Sequence, residues 1–538
     1  VSEILERLRH AGGDALVQRL LRLDAHLPAA PTGQAFGPSI DAVGPSQGAA
    51  TDCDVVLLGG GLSLLYAPLL AQAGLKVAVV DQHRIGDAQR EWNASEAELQ
   101  ALVTVGLLSA AQLQALIMAR YTHGICAWHG GQTQKVWGVL DRAIDATALL
   151  QLARQRCVAA GVLLLDGCRI EAVAPGSGGL RVEMVTETGQ KRHLSARLGL
   201  DGRGAQSPHA TADLVCPTVG GVFTGLAFDP HVGDILVTTE DAENGRQHIW
   251  EAFPGRPGEI TIYLFYYALR TEVAPGALQS LYERFFSRLS AYKPGTPTLV
   301  RPTFGYIPGW SRMSPAPRSP HPRLLLLGDA AARHSPLTFC GFGAALRSLQ
   351  PVTQAVKEFL LQDSHNMRPG PAPLPLDDQA LHGATGALAY LMAKPPRSAR
   401  PAALNQLLNT AFTCLQDMGN DSFAALLQDR LPLRKFVQFL RRTARLRPSV
   451  YALMVRSLGP AALLRWSVVL AQALWRQQRL GSPLQPRDLA PLETQPAHHM
   501  GPEEEAIGDA AVPVVQHMGR AQQAHAAQSV QRPQQTLR

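Results

Sequence analysis

The chain has 538 residues, 46% of them hydrophobic and 17% charged, which fits a globular protein of two or more domains and excludes one that is disordered throughout. A formal charge of +7 leaves nucleic acid and an anionic membrane surface open as partners until the basic residues are located. Seven cysteines, an odd number with no CxxC pair, argue against a disulfide framework or a zinc site, so buried thiols and no metal are expected.

Residues 2–28 place Ile4, Leu5, Leu8, Leu16, Leu20 and Leu21 at near-helical spacing and predict an amphipathic helix. Pro28 to Gly48 is rich in Pro, Gly and Ala and reads as a linker, so 1–50 is set apart as an N-terminal helix and linker. No signal peptide is visible, and a start at Val1 rather than Met leaves room for a removed targeting segment. No uncharged run of about 18 apolar residues occurs, so nothing is expected to span a bilayer.

At Asp54 a buried strand begins, Val55-Val56-Leu57-Leu58, followed by Gly59-Gly60-Gly61, an apolar helix and a second strand, Lys76 to Val80. Such glycines let backbone approach a pyrophosphate, and the helix start offers it unpaired N–H groups. Asp81 closes the second strand, where an acid binds ribose hydroxyls. The third glycine of the dinucleotide fingerprint falls on Leu64, so the helix is expected to sit slightly out. Residues 95–120 read as helical, with Ser95 and Glu98 forming a capping box.

Short strands are predicted at 162–165, 180–185 and 194–200, ending in Asp201-Gly202-Arg203-Gly204, a turn that carries the chain back past the nucleotide. Residues 219–270 read as strands of a separate antiparallel sheet, inserted at about 219–300. The apolar strand Leu324 to Leu327 feeds Gly328-Asp329, then Pro336 and a glycine-rich helix entry at Gly341 and Gly343. Strand, Gly-Asp and helix start make the second half of an FAD site, with Asp329 on a ribityl hydroxyl and the helix N-terminus at the flavin N1–C2=O region. No second GxGxxG loop is present, so no dedicated NAD(P)H domain is expected.

The fold expected is α/β, a glutathione-reductase-like FAD-binding Rossmann fold over 51–350 with an antiparallel substrate sheet and a C-terminal helical region at 351–480. The tail 481–538, rich in Gln, Pro, Ala and His, is expected to be disordered. Between Asp429 and Asp488 there is no Asp or Glu, while Arg434, Lys435, Arg441, Arg442, Arg445 and Arg447 alternate with apolar residues. A basic amphipathic region of this kind suits an anionic membrane surface; a solvated basic face is the plainer alternative. No nucleic-acid partner is expected, because no nucleic-acid fold accompanies the charge.

Several segments resemble the CruA/CruP-type family of lycopene cyclase-like flavoproteins. Arg90-Glu91-Trp92-Asn93-Ala94-Ser95 is similar to that family's REWNIS signature, and Trp250-Glu251-Ala252-Phe253-Pro254 and Gly305-Tyr306-Ile307-Pro308 also match its pattern. The stretch Gly328 to Gly343 is similar to GDASGIQSPLSFGGFG, with Cys340 standing where a glycine is expected. The likeness covers roughly residues 51–350. It implies FAD in its reduced form, a carotenoid or other isoprenoid substrate, and Arg90 among the cofactor-binding residues. The Gln- and Ala-rich linkers favour the CruP branch, which is associated with chloroplasts and with limiting oxidation; a peripheral place on a thylakoid or envelope membrane follows, with a bacterial cytoplasmic membrane surface as the alternative.

Lycopene cyclisation is redox-neutral: a proton is added, a ring closes through a carbocation, and a proton leaves. It requires a carboxylic acid with a raised pKa, a π-rich wall and a dry site. Glu91 and Glu251, each beside a tryptophan, are the candidate acids, and Trp92, Trp250, Phe253, Tyr263 and Phe265 the candidate wall. The plainer readings are a capping or ion-pairing role for Glu91, a surface carboxylate at Glu251 and core packing for the aromatics. Two rival functions remain: an FAD-dependent isoprenoid reductase or monooxygenase, and a non-enzymatic flavin- or carotenoid-binding protein with a photoprotective role.

Overall fold

The computed structural model describes residues 2–25, 51–88, 92–176, 179–210, 213–311, 319–331, 337–338, 340–365, 386, 388–394 and 400–461, with residues 463, 464, 466–468, 470, 471 and 475 beyond them. The linker from Pro28 to Gly48, the tail from residue 481 and the site candidates Arg90, Glu91 and Pro336 lie outside the described residues.

Branched and leucine-rich runs make the first sheet. Val55, Val56, Leu57 and Leu58 are all fully buried, which suits a parallel strand covered on both faces. The strands Leu163–Leu165, Val77–Val80, Cys53–Leu58 and Lys191–Asp201 lie side by side and parallel, and Leu324–Leu326 adds to the last of them, also parallel. Cys168–Gly176 and Gly179–Thr186 complete the sheet as an antiparallel meander joined to Lys191–Asp201. The helices Tyr66–Gln72, Ala146–Ala159 and Gly341–His365 cover one face through Leu69, Leu70, Leu149, Leu150, Leu346 and Leu349.

The second sheet has eight strands and is wider than the interval 219–300. It also draws in His123–Ala127, Thr133–Val136 and the 15-residue strand Gly295–Gly309, which pairs along almost the whole of Leu214–Leu226. One pair, His123–Ala127 with Val232–Val237, is parallel, so the sheet is mixed rather than purely antiparallel. His-Gly-Ile-Cys-Ala carries too little β-branched character to announce that strand in advance. One face packs on the helix Ala277–Tyr292 through Phe223, Trp250, Ile262 and Leu264; the other, through Cys216, Ile249, Phe253 and Phe265, meets the helices Ala402–Asp417, Asn420–Leu427 and Leu433–Leu446.

The N-terminal helix Ser2–Ala25, kinked at Gly13, is part of this second half. Leu8, Val17 and Leu20 are buried in the same cluster as Phe285. Asp24 caps the neighbouring helix, accepting from the N–H groups of Leu278 (2.8 Å) and Gln279 (3.0 Å). The region 95–120 is not one helix but two, Glu96–Thr104 and Ala110–Leu116, followed by a strand, Ile117–Arg120. Ser95 and Glu98 form the expected capping box, and Ser109 with Gln112 forms a second one.

Glu98 has a further role. It is 5% exposed, and its carboxylate takes the guanidinium of Arg347 from the helix Gly341–His365. Gly343 must be small here, because a Cβ would lie 2.5 Å from the Glu98 Oε1. Removing one member of a buried ion pair strands the other, at a cost of about 3–5 kcal/mol, whereas replacing both by apolar side chains costs far less. Glu98→Ala is therefore expected to lower the unfolding midpoint in urea strongly, and Glu98→Leu combined with Arg347→Met to recover most of the loss. Equal losses in the two variants would refute the coupling.

Candidate functional site

The first sheet brings the separate glycine turns together. Leu58 pairs with Asp201, and Asp201 with Leu326, in register. The turns that follow, Gly59 to Gly61, Gly202 to Gly204 and Gly328-Asp329, thus leave the same carboxyl edge of adjacent parallel strands, where open α/β sheets bind ligands. A Cβ on Gly204 would lie 3.8 Å from the Asp329 side chain, so the second and third turns touch.

The loop geometry explains its composition. Gly59 has φ +101°, and a Cβ there would come within 3.1 Å of the Gly202 carbonyl. Its N–H donates to the Val80 carbonyl (2.8 Å), and the Gly60 N–H donates to the Asp81 carboxylate (2.6 Å). Asp81 thereby orients the loop from the end of the second strand and keeps lone pairs for a further donor. Leu64 does not push the helix out. The first turn is a tight 3₁₀ turn, Leu62–Leu65, with Leu64 fully buried. Close approach moves to Ser63, which donates to the Gly59 carbonyl (2.8 Å) and would lie 2.3 Å from a Cβ on Gly202.

Asp201 shapes this edge from inside. Its carboxylate is fully buried and takes the Arg203 guanidinium (3.0 and 2.7 Å), the Arg203 N–H (3.1 Å) and the Ser207 hydroxyl (2.7 Å). With those acceptor positions filled, it holds the turn instead of binding a cofactor, contrary to the expectation from its place after the strand. Gly202 stays at the edge.

Strand parity sorts the acid and the aromatics. On the strand Ile249–Pro254, the alternate residues Ile249, Glu251 and Phe253 share one face. Across the ladder, Glu251 pairs directly with Tyr263, and Ile249 with Phe265, so Tyr263 and Phe265 lie on that face too. Trp250 points the other way. It is 1% exposed, stacked on Tyr292 at 4.6 Å and packed on Phe285 at 5.3 Å, so it belongs to the helix-facing core and not to a wall beside Glu251. Trp92 sits in the first half, its ring 4.9 Å from that of Phe342 at the start of the helix Gly341–His365.

Glu251 is half-buried and, among the described residues, has neither a hydrogen-bond nor an ion-pair partner. Burial pushes its carboxyl up to about 8. Cys216, Tyr267 and Cys340 all feel its charge. Cys340 immediately precedes the helix Gly341–His365, so the acid faces the flavin-side element. Burial also pushes the Cys340 thiol up to about 12, which keeps it protonated. All seven cysteines are free.

Two tyrosines join the halves, and nothing in the sequence pattern marked them. Tyr121 donates to the Pro254 carbonyl (2.5 Å), and its hydroxyl lies 3.4 Å from the Asn93 Oδ1. The segments bearing Trp92-Asn93 and Trp250 to Pro254 therefore meet at one hydroxyl. Tyr267 donates to the Leu337 carbonyl, tying the sheet to the chain between Asp329 and Gly341.

These residues fit a dinucleotide. Space is open beside Gly61 and Gly328, where an added Cβ meets none of the described residues within 4 Å. Gly328 holds φ +52° at the third of these turns. Gly59, Gly60 and Gly61 would line the pyrophosphate, Asp81 the ribose and Asp329 the ribityl chain, with Gly341 and Gly343 at the start of the flavin-side helix. Asp329→Ala is expected to purify without flavin while keeping its circular dichroism; a variant with full flavin occupancy would remove Asp329 from the cradle.

Residues 54–380 match the family described as "Lycopene cyclase protein". No curated protein matches the chain. Among solved structures, a geranylgeranyl bacteriochlorophyll reductase-like protein from Thermoplasma acidophilum is similar at 13% identity and a TM-score of 0.53, over 76% of this chain and 98% of that one. The flavin-dependent brominase Bmp2 is similar at 12% identity and a TM-score of 0.52, over 74% and 99%. The halogenase PltM, solved with phloroglucinol and FAD, is similar at 14% identity and a TM-score of 0.50, over 80% and 93%. At these identities the likeness is one of fold, and the fold is that of FAD-dependent flavoproteins. The family match runs from the first strand of the nucleotide loop through Glu251 and past the Gly328-Asp329 turn, and the chain belongs to the lycopene cyclase family.

Proposed function

We propose that the protein binds FAD and cyclises the end group of a linear carotene by acid–base chemistry, with Glu251 as the acid. The observation that supports this most directly is Glu251 itself, a desolvated carboxyl without a partner among the described residues, pushed up to about 8, on the sheet face that looks toward Cys340. A carboxyl of that kind is protonated at neutral pH and can give its proton to a hydrocarbon double bond. The bound carotene's terminal double bond takes the proton, the resulting cation is attacked by a neighbouring double bond, and a ring closes. A proton then leaves a carbon beside the new cation and returns to the Glu251 carboxylate, so the product is an isomer and no electrons are exchanged. Tyr263, Phe253 and Phe265, on the same face as Glu251, offer π density to the cation. Reduced FAD, when bound, would supply a negative face that steadies positive charge.

Glu91 and the neighbouring Arg90 belong to the same proposal through the resemblance of their segment to the family signature. So do a chloroplast setting and a CruP-like role in limiting carotenoid oxidation.

Full-length protein with reduced FAD and lycopene in detergent micelles tests the chemistry. A cyclic product of unchanged mass is expected, and a product heavier by hydrogen or oxygen would instead establish the reductase or monooxygenase. Recovery of unaltered lycopene in a stable complex would establish the binding protein. Glu251→Gln is expected to abolish cyclisation with flavin still bound. The acid must be protonated, so wild-type rate should be flat below about pH 7 and fall about tenfold for each unit above 8. The same shift has a stability sign. A carboxyl raised in the fold contributes stability that is complete below its unfolded pKa of about 4.3 and is lost as pH rises through 8. Unfolding midpoints measured from pH 5 to 9 should therefore fall more steeply for wild type than for Glu251→Gln.

A further inference from the structure

Two unlike stripes lie on the outside of the C-terminal helices. The helix Leu433–Leu446 buries Leu433, Phe436, Phe439 and Thr443 and exposes Arg434, Gln438, Arg441 and Arg445. Those four are spaced by four, three and four residues, so they form one face, with Lys435 exposed beside it. None of Arg434, Lys435, Arg441 and Arg445 is in an ion pair among the described residues. From Arg430 to Arg487 the chain has no Asp or Glu to neutralise them.

The second stripe is apolar. The described residues between 460 and 475 are helical, and Leu463, Trp466 and Leu470 pack on the core beneath. The opposite side carries Leu464 (68% exposed), Val468 (46%) and Trp475 (54%), with Ala471 exposed among them. The spacing is again four, three and four. A soluble surface rarely aligns large apolar side chains along one helix. Both helices cover the same core cluster as Phe436, Phe439 and Trp466.

We infer that this surface docks on an anionic phospholipid bilayer, the apolar stripe entering the boundary between headgroups and acyl chains and the cationic stripe meeting lipid phosphates. Leu, Val and Trp beside Arg and Lys are the composition that lies in such a boundary. No described helix is long and apolar enough to cross a membrane, so the contact is peripheral. Charge complementarity selects this occupant. A second copy of the chain would bring arginine against arginine across a two-fold interface. Single-stranded RNA would use the arginines but leave Leu464 and Val468 in water. The inference is independent of the flavin and of Glu251.

Flotation of the full-length protein with vesicles tests it. The protein should float with phosphatidylcholine–phosphatidylglycerol vesicles at about 0.1 M salt and be released at about 1 M, where the screening length shrinks from roughly 10 Å to 3 Å. Vesicles of phosphatidylcholine alone should retain little. Arg434→Glu, Arg441→Glu and Arg445→Glu together should weaken partition about a hundredfold. Leu464→Ser, Val468→Ser and Trp475→Ser together should abolish flotation with an unchanged melting temperature, because all three side chains already face outward. Undiminished flotation of both triple variants would overturn the inference. So would retention on poly(U) without flotation, which assigns the surface to RNA, or a dimer dissolved by the serine variant, which assigns it to a second copy.

Discussion

The site depends on the ends of three parallel strands lying level. Leu58, Asp201 and Leu326 are neighbours across two ladders, and each strand breaks into a turn immediately afterwards. A shift of register by one residue would carry one turn about 3.3 Å along the sheet and open the cradle. Buried backbone hydrogen bonds hold the register: the Gly202 N–H donates to the Leu58 carbonyl and the Leu327 N–H to the Asp201 carbonyl, both at 2.9 Å. Asp201 stiffens the middle strand end by spending its whole carboxylate on its own turn. The acid nearest the middle of this edge is thus committed to structure.

Two acids in this molecule meet the cost of burial in opposite ways. Glu98 is buried with Arg347 and with both the hydroxyl and the N–H of Ser95, so its charge is answered on the spot. Glu251 has no such answer among the described residues, and desolvation is the cause of its shift. Left unpaired in apolar surroundings, a carboxyl lowers the cost by keeping its proton. An arrangement like that of Glu98 locks helices together. One like that of Glu251 keeps its proton at neutral pH, as the proposed acid chemistry requires, and its neighbours Cys216, Tyr267 and Cys340 are themselves driven toward their neutral forms.

Local signals carried the first half well. Val55 to Leu58 reads as a buried strand because its residue types admit little else, and Ser95 with Glu98 forms a cap because the chemistry is contained within four residues. The Gly-Asp turn at Gly328 was visible for the same reason. What the chain did not disclose was long-range. Adjacency misled at Trp250, since a residue next to Glu251 on a strand must face away from it. Asp201 looked like a ligand because nothing nearby in sequence suggested that Ser207 and Arg203 would consume it. The strand His123–Ala127 of the second sheet has no periodicity of its own and is held by its neighbours, Val232–Val237 on one side and Thr133–Val136 on the other. Leu64 broke a fingerprint without breaking the fold, because Ser63 and Gly202 share the close contact that a third glycine would have made.

The proposed chemistry needs the strand of Glu251 held still with respect to the turns that would hold the flavin, and two phenols supply that hold. Tyr121 reaches the Pro254 carbonyl at the end of the acid strand and lies against Asn93 of the first half. Tyr267 reaches the Leu337 carbonyl, between the Gly-Asp turn and the helix Gly341–His365. Burial drives both phenols far above their ordinary pKa, so each stays a neutral donor over the whole working range. A charged tether would have shifted Glu251 by its field; a neutral one fixes position and leaves the proton affinity of the acid to desolvation alone. Geometry and acidity are therefore set by separate groups, which lets Glu251 sit beside the cofactor half without being neutralised by it.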